Sequence, residues 1–311
     1  MSTKIVVVGS CMIDFVSYSP RLPNSGETIH GHKFVTNFGG KGANQCVAAA
    51  KLGGTTALIA RVGDDVWGSK YIANLEAEHV DTQYVKITEN SSSGIAQINV
   101  ADDGINQIVI VAGANNKLTV KDVEEAQFLI NSADVLVLQL ETPVETAIKA
   151  MQICKGISIL NGAPALSKFE EQLLKLPTIF CINETEAAVF CGFPVNNISD
   201  AETAARYLLS KGCQNVLITL GSAGAVFLTN ETGKKIFIAK SPKVTSVDST
   251  GAGDAFIGAL AYFLAYFKSV AIEKCIEAAC FVAADTVTRL GTQISFPGPG
   301  ILEKVKRILG E

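Results

Sequence analysis

Histidine, tryptophan and methionine are scarce in this chain, with 3, 1 and 3 copies among 311 residues. His30, His32 and His79 have no evident further ligand nearby in sequence, so a histidine-based metal centre is not expected. The eight cysteines (Cys11, Cys46, Cys154, Cys181, Cys191, Cys213, Cys275 and Cys280) are scattered and form no C-x-x-C pair. They read as buried, reduced thiols in a cytoplasmic protein, not as zinc ligands or a disulfide frame. Long apolar runs are also missing. Residues 5–8 run directly into Gly9-Ser10, and 255–267 is too short to cross a bilayer, so neither a signal peptide nor a membrane span is expected. Basic blocks are absent: 26 basic residues face 30 acidic ones, for a net charge of -4, which leaves no electrostatic footprint for nucleic acid. No G-x-x-x-x-G-K-[ST] loop occurs, and no G-x-G-x-x-G follows a strand-like run. That weighs against a P-loop nucleotidase and a nicotinamide oxidoreductase.

What remains is a chain rich in core-forming residues, 48% apolar and 18% charged, long enough for one large α/β domain or two ordinary ones. Strand-like apolar runs at 5–8, 57–62, 135–140, 157–160, 179–182 and 216–220 alternate with helix-compatible segments at 43–52, 67–78, 121–132, 144–154 and 201–211. Several of the runs are apolar at consecutive positions, as strands buried on both faces of a parallel sheet are. The alternation predicts an α/β fold, a central mainly parallel sheet with helices on both faces. Thr119 and Asp200 are expected helix caps. Two stretches, 17–38 and 94–112, break the rhythm and alternate like exposed strands, with Asp103-Gly104 as a hairpin signal. They are expected to form a small antiparallel sheet, either a lid or an ordinary extension of the main sheet. Longer helices are expected at 255–267, 272–288 and 301–309.

Two glycine-rich segments carry the chemistry. Asp248-Ser249-Thr250-Gly251-Ala252-Gly253-Asp254 precedes a helical run, and its alternating glycines allow successive N–H groups to turn inward as an anion nest. In its first turn Asp254 could reach an acceptor hydroxyl; the same residues would also serve as a plain helix cap. Gly39-Gly40-Lys41-Gly42-Ala43-Asn44-Gln45 opens another helix, with hinge-like glycines and Lys41 and Asn44 as polar recognition groups, or it is simply a glycine turn.

Together the two segments resemble the paired signatures of the ribokinase-like carbohydrate kinase family, and the similarity runs from Val7-Val8-Gly9-Ser10 to Gly291-Thr292-Gln293. The resemblance implies one domain over 1–311, a three-layer fold with a β-sheet lid over the sugar, and a homodimer joined through the lids. It implies transfer of the γ-phosphate of ATP to the primary hydroxyl of a sugar, ribose first, with Mg2+ and K+ as cofactors. By the same resemblance Asp14 would bind two sugar hydroxyls, and Gly39, Gly40, Lys41, Gly42, Ala43, Asn44 and Glu141 would complete the sugar pocket. Asp254 would be the base, and the amides of Gly251, Ala252 and Gly253 would stabilise the transferring oxygens. Asn183, Thr219, Leu220, Gly221, Ser222, Ala223, Gly224 and Gly253 would hold ATP, and Glu186 would organise Mg2+ through water. Asp248, Thr250, Thr286, Arg289, Gly291 and Ser295 would hold K+, the middle ones mainly through backbone carbonyls, with Arg289 harmless there if its side chain faces outward. As bare sequence, Asp14 could be a loop cap, Glu141 a surface charge, Asn183 a helix cap and Thr219–Gly224 a hairpin turn. Two positions depart from the pattern. Met12 stands where a polar asparagine is common in bacterial members, and Cys280 replaces a frequent asparagine beside the adenine. A kinase for another acceptor (deoxyribose, fructose or adenosine) and a non-catalytic sugar-binding protein are the alternatives.

Overall fold

The computed structural model describes residues 3–230 and 236–310. Nine strands form the main sheet: β1 (Ile5–Val8), β4 (Thr56–Gly63), β5 (Val80–Thr88), β8 (Val135–Leu138), β9 (Ile157–Asn161), β10 (Ile179–Asn183), β11 (Asn215–Thr219), β12 (Ala225–Thr229) and β13 (Ile236–Ala239). Their order is β13-β12-β11-β10-β9-β8-β1-β4-β5; all neighbours are parallel except the β11–β12 and β12–β13 pairs. Four more strands, β2 (Met12–Ser19), β3 (Lys33–Gly39), β6 (Gly94–Ala101) and β7 (Asn106–Val111), build a separate sheet in the order β3-β2-β6-β7. The helices are α1 (Lys41–Lys51), α2 (Val66–Ala77), α3 (Val120–Glu125), α4 (Gln127–Ser132), α5 (Val144–Ile153), α6 (Gln172–Lys175), α7 (Glu184–Cys191), α8 (Ile198–Ser210), α9 (Ala252–Tyr266), α10 (Ile272–Thr286) and α11 (Leu302–Leu309).

The three layers follow from strand alternation. In β1, Ile5 and Val7 point into one core with α1, α9 and α10, whereas Val6 and Val8 point into another with α5, α7 and α8. Every β1 residue is therefore buried, which explains the unbroken apolar run. Helix α9 shows the same logic at larger scale. From Asp254 to Ala265 every residue is buried, because α1 covers it on one side and α10 on another.

The separate sheet corrects the expectation in one respect: it is mixed, not antiparallel. β2 and β6 run parallel, Met12 opposite Gly94, while β2–β3 and β6–β7 are antiparallel. The parallel pair is possible because a long excursion through α1, β4, α2 and β5 separates the two strands, something no local alternation reveals. The Asp103-Gly104 turn does close the β6–β7 hairpin, with Gly104 at φ 88°. Thr119 caps α3 in a capping box with Asp122, but Asp200 is not a cap. Asn197 caps α8 by accepting from the Asp200 amide, and the Asp200 carboxylate accepts from Asn196. The helix expected over 121–132 is broken at Ala126 into α3 and α4.

One buried side chain ties the separate sheet's two ends together. Asn115 accepts from the Cys11 amide (2.8 Å) and donates to the carbonyls of Cys11 (2.8 Å) and Ala112 (2.9 Å). Cys11 precedes β2 and Ala112 follows β7, so the chain's first exit from the main body and its last return to it meet at one clamped point. Gly94 makes the crossing possible, since a Cβ there would lie 2.2 Å from Asn115 Nδ2.

Candidate active site

Parallel strands bring their carboxyl ends to one edge, where open α/β sheets bind ligands. Ser10 follows β1, Gln139 and Glu141 follow β8, Asn161 ends β9, Asn183 ends β10 and Thr219 ends β11. Opposite this edge stand the first turns of α1 and α9. Gly42 lets α1 approach, because a Cβ there would fall 2.4 Å from the Ser10 amide. Gly40, at φ 89°, turns the chain from β3 into α1, and a Cβ on Gly39 would overlap the Asp14 carboxylate at 2.3 Å.

Asp254 sits in the first turn of α9 and is 9% exposed. Asn44 Nδ2 donates to its Oδ2 (2.9 Å), and Gln45 Nε2 donates to its Oδ1 (2.9 Å). Burial raises its pKa, while the Lys41 charge and the two amides pull it back; the net shift is upward. The buried site thus departs from the ordinary carboxylate value of an exposed aspartate. Asp14, on the lid strand β2, is pushed up to about 7 by burial, then by the negative charges of Glu141 and Asp254. Glu141 accepts from Ser10 Oγ (2.5 Å) and from the Lys41 amide (2.9 Å). Burial would lower the Lys41 pKa, but Asp254, Glu141 and Glu186 together raise it, so its ammonium stays protonated. Four acids (Asp14, Glu141, Glu186 and Asp254) and one lysine, from five separate segments, thus share one field.

A cavity of about 200 Å³ is lined by Lys41, Asn161, Asn183, Glu186, Gly251, Gly253 and Asp254, among others. A second, of about 480 Å³ and mostly apolar, lies between Thr219, Gly221, Ser222 and Gly224 on one side and Cys280, Ala283 and Val287 of the α10 region on the other. Thr219, Gly253 and Phe256 line both, so Gly253 marks the junction. Gly251, at φ 78°, starts α9, and the first-turn amides of a helix lack carbonyl partners within it. Of the three expected nest amides, that of Ala252 donates to the Ser249 carbonyl (3.2 Å). Leu220 and Ala223 shape the turn without lining the cavity: the Leu220 amide donates to the Gly224 carbonyl, and the Ala223 amide to that of Leu220. That turn also joins antiparallel β11 and β12, so hairpin and cavity wall are one feature. Asn183 and Glu186 form a capping box on α7. Burial raises the Glu186 pKa more than its capping bond and the Lys41 charge lower it. Cys280 is buried in the wall of the larger cavity. Met12 and Ala43 are core residues, 4% and 0% exposed.

The six expected cation residues come together. Asp248 accepts from the amides of Thr250 and Gly291, both at 2.9 Å. Burial would raise its pKa, but these bonds prevail and keep it below its ordinary value. The Arg289 amide donates to the Thr286 carbonyl (3.2 Å). The Arg289 side chain does not simply turn outward, however. It folds back onto the Ser295 carbonyl (3.1 and 2.8 Å) and onto Asp285 (2.6 Å), because Asp285 lies one helical turn earlier and the loop after Gly291 returns the Ser295 carbonyl to it. The oxygens that fit a hard monovalent ion are then the Asp248 carboxylate, the loop carbonyls and Ser295 Oγ. Among the described residues no group of three or more His, Cys, Asp or Glu could hold a metal by itself. A single acid, Glu186, suits Mg2+ that keeps its waters and is carried by phosphates.

Residues missed in the sequence reading are Gln45, Asn161, Gln139, Gln293 and Asn115. Gln45, next to Asn44 in the first turn of α1, had a signal in that position; the others are brought in only by the fold.

A buried carboxylate in the first turn of a helix that opens on a glycine, with a polar pocket on one side and an apolar cleft on the other, is the arrangement a small-molecule phosphotransferase needs. The family model described as "pfkB family carbohydrate kinase" matches residues 2–298, so the chain belongs to that family. It is 44% identical to ribokinase from Mus musculus over 95% of this chain and 92% of that one. It is also 38% identical to deoxyribokinase from Salmonella typhimurium, over 94% and 95% of the two chains. Among solved structures it is similar to Arabidopsis thaliana ribokinase complexed with ribose and ATP, with a TM-score of 0.88, 31% identity, and 98% and 99% of the chains covered.

Proposed function

We propose that this protein is an ATP-dependent sugar kinase that transfers the γ-phosphate of ATP to the primary hydroxyl of D-ribose, giving D-ribose 5-phosphate. The observation that carries the reading is Asp254: buried, held by two amides, neighboured by Asp14, Glu141 and Lys41, and lying where Gly253 joins the two cavities. Asp14, Lys41, Asn44 and Glu141 bind the sugar hydroxyls. Asp254 takes the proton of the attacking hydroxyl as its oxygen bonds to the γ-phosphorus and the bond to ADP breaks. Amides of the nest and the Lys41 ammonium stabilise the charge on the transferring oxygens. Glu186 would hold, through water, a Mg2+ carried by the phosphates, and that ion would supply charge neutralisation. The adenine side of ATP suits the apolar cavity walled by Cys280. The name of the mouse relative and the ligands of the Arabidopsis structure support this acceptor and donor.

One observation favours a second acceptor. Met12 is apolar and buried at the base of the lid, beside the Gly39-Gly40 turn, and a relative is a deoxyribokinase. 2-Deoxyribose should therefore be turned over as well, more slowly than ribose. A panel of ATP turnover against ribose, deoxyribose, fructose and adenosine tests both statements. Turnover confined to adenosine, or none with any sugar, would overturn them. Run in potassium and in sodium at equal ionic strength, the same assay should show faster turnover in potassium, because a cation held by Asp248 and the neighbouring loop fixes the nest that begins at Gly251. Equal rates count against that site.

Homodimerisation through the lid is supported by β7, whose six residues are all exposed and include Ile108, Val109, Ile110 and Val111. Sedimentation of the full chain should give a dimer that Val109→Lys weakens; a monomeric wild type would refute it. Eight free cysteines, seven of them buried, support a cytoplasmic location, which cell fractionation checks.

A further inference from the structure

Asp254 does not take its hydrogen bonds from two free amides. Each of the two has its orientation set by another buried amide behind it. Gln139 Nε2 donates to Gln45 Oε1 (2.7 Å), which leaves the Gln45 NH2 facing Asp254 Oδ1 (2.9 Å) and Asn161 Oδ1 (3.1 Å). Gln293 Nε2 donates to Asn44 Oδ1 (3.0 Å), which leaves the Asn44 NH2 facing Asp254 Oδ2 (2.9 Å). Gln293 is itself oriented, since its Oε1 accepts from Asn74 Nδ2 (3.0 Å) and Lys51 holds its carbonyl (2.7 Å). Two one-way chains of amides, Gln139 to Gln45 and Asn74 to Gln293 to Asn44, end on the two oxygens of one carboxylate.

We propose that Gln139 and Gln293 are positioning residues for the phosphoryl transfer, setting the polarity of the amides around Asp254 so that the carboxylate is held ionised, in a fixed plane, as a proton acceptor. This rests on the reading of Asp254 as the base.

The physical reason is that a primary amide has two faces of opposite sign. Turned with its NH2 toward a carboxyl, it favours the ionised form; turned with its oxygen, it favours the protonated form, which cannot accept a proton. Burial of Asp254 already favours the protonated form, so the base depends on both amides keeping their donors inward. The cost of that arrangement is visible at the outer end of one chain. Gln139 Oε1 is buried without a hydrogen-bond partner among the described residues, and it fits only because Gly9 has no Cβ, which would lie 2.1 Å away. Turning Gln139 alone would set its oxygen against that of Gln45. Turning both would set the Gln45 oxygen against Asp254 and Asn161, and Asn161 is itself fixed by its bond to the Cys181 carbonyl (3.2 Å). The unpaired acceptor is therefore moved as far from the base as the chain allows. Gln293 gives the second chain a further property: it lies between Gly291 and Ser295, so the loop proposed for the cation and the orientation of Asn44 are fixed by one residue.

The test uses Gln139→Met and Gln293→Met in the full-length enzyme, since methionine keeps length and volume but donates nothing. Each should lower kcat about tenfold, the equivalent of one hydrogen bond to a charged group, and raise the acid limb of the kcat–pH profile by up to about one unit. KM for ribose should stay within about threefold in Gln139→Met, whose chain reaches the base through Gln45 and not through the sugar-facing Asn44. Both variants with kcat within about twofold of wild type and an unmoved acid limb, or a loss confined to KM, would overturn the proposal. A second measurement needs neither glutamine variant nor turnover. In wild type, the side-chain amide NMR signals of Gln139 and Gln293 should titrate with Asp254, in a step that Asp254→Asn abolishes. Signals that stay flat through that step refute the proposal. Should wild type fail to phosphorylate ribose, the functional reading falls, and this titration still decides the amide arrangement.

Discussion

Asp254→Asn should lower kcat by roughly 10²–10⁴-fold, the range for loss of a general base, with ATP affinity little changed. Asparagine keeps the size of the side chain and can still accept from one neighbour. Its own NH2, however, would meet the donors of Asn44 or Gln45, and it cannot take up a proton. Asp254 directly follows Gly253 at the start of α9, so as a base it would address the same reacting atoms as the nest amides. In a loose transition state the hydroxyl proton moves late, so a weak base suffices and orientation carries much of the effect. The raised pKa adds basicity relative to an exposed aspartate. Its sign also sets the pH dependence: the group is active only when ionised, so kcat should fall as the pH drops through its raised value. Steady-state kinetics with nucleotide binding by calorimetry measures both. Wild-type kcat in the variant would refute the assignment, and joint loss of turnover and ATP binding would make Asp254 structural.

Asp14→Ala should cost about 2–5 kcal/mol in kcat/KM for ribose, as expected when one partner of a buried charged hydrogen-bond pair is truncated. The carboxylate reaches the site because β2 carries it there and Gly39 leaves room beside it. With its pKa near 7, Asp14 is protonated below that pH and then offers a donor where the sugar needs an acceptor. The kcat/KM for ribose should accordingly fall as the pH drops below about 7, and Asp14→Asn should remove that limb. Ribose binding near neutral pH should release a proton, since hydroxyl donors favour the ionised form; calorimetry in buffers of different ionisation enthalpy detects it. The linked stability has the opposite sign. The folded chain keeps this proton where the unfolded one has lost it, so the group's contribution is full below about pH 4 and is lost as the pH rises through about 7. Near wild-type efficiency of Asp14→Ala at all pH values would remove Asp14 from the sugar site.

Much of this site could be read from local sequence because its key parts are contiguous. Gly39 to Asn44 and Asp248 to Asp254 each place glycine, charge and helix start within one turn, and a helix start has the same electrostatic character wherever it lies. Asp14 and Glu141 could not be read from local sequence. One is a residue in a strand and the other follows a strand, and neither position is distinctive without the family resemblance. The cap of α8 shows the same limit at small scale: Asp200 and Asn197 are both good capping types, and only the backbone decides that Asn197 accepts and Asp200 lies inside the helix.

What the sequence by itself determined is therefore the alternation of buried strands and helices, the hairpin at Asp103-Gly104 and the two glycine-rich helix starts. Each depends on residues within a few positions of one another. Tertiary structure alone decided the parallel pairing of β2 with β6, the Asn115 clamp, the partners of Arg289, the raised pKa values of Asp14 and Asp254 and the amide chains behind the base. These depend on burial and on contacts between residues as far apart as Asn44 and Gln293. Desolvation and hydrogen-bond polarity are properties of an assembled environment, which no single segment carries.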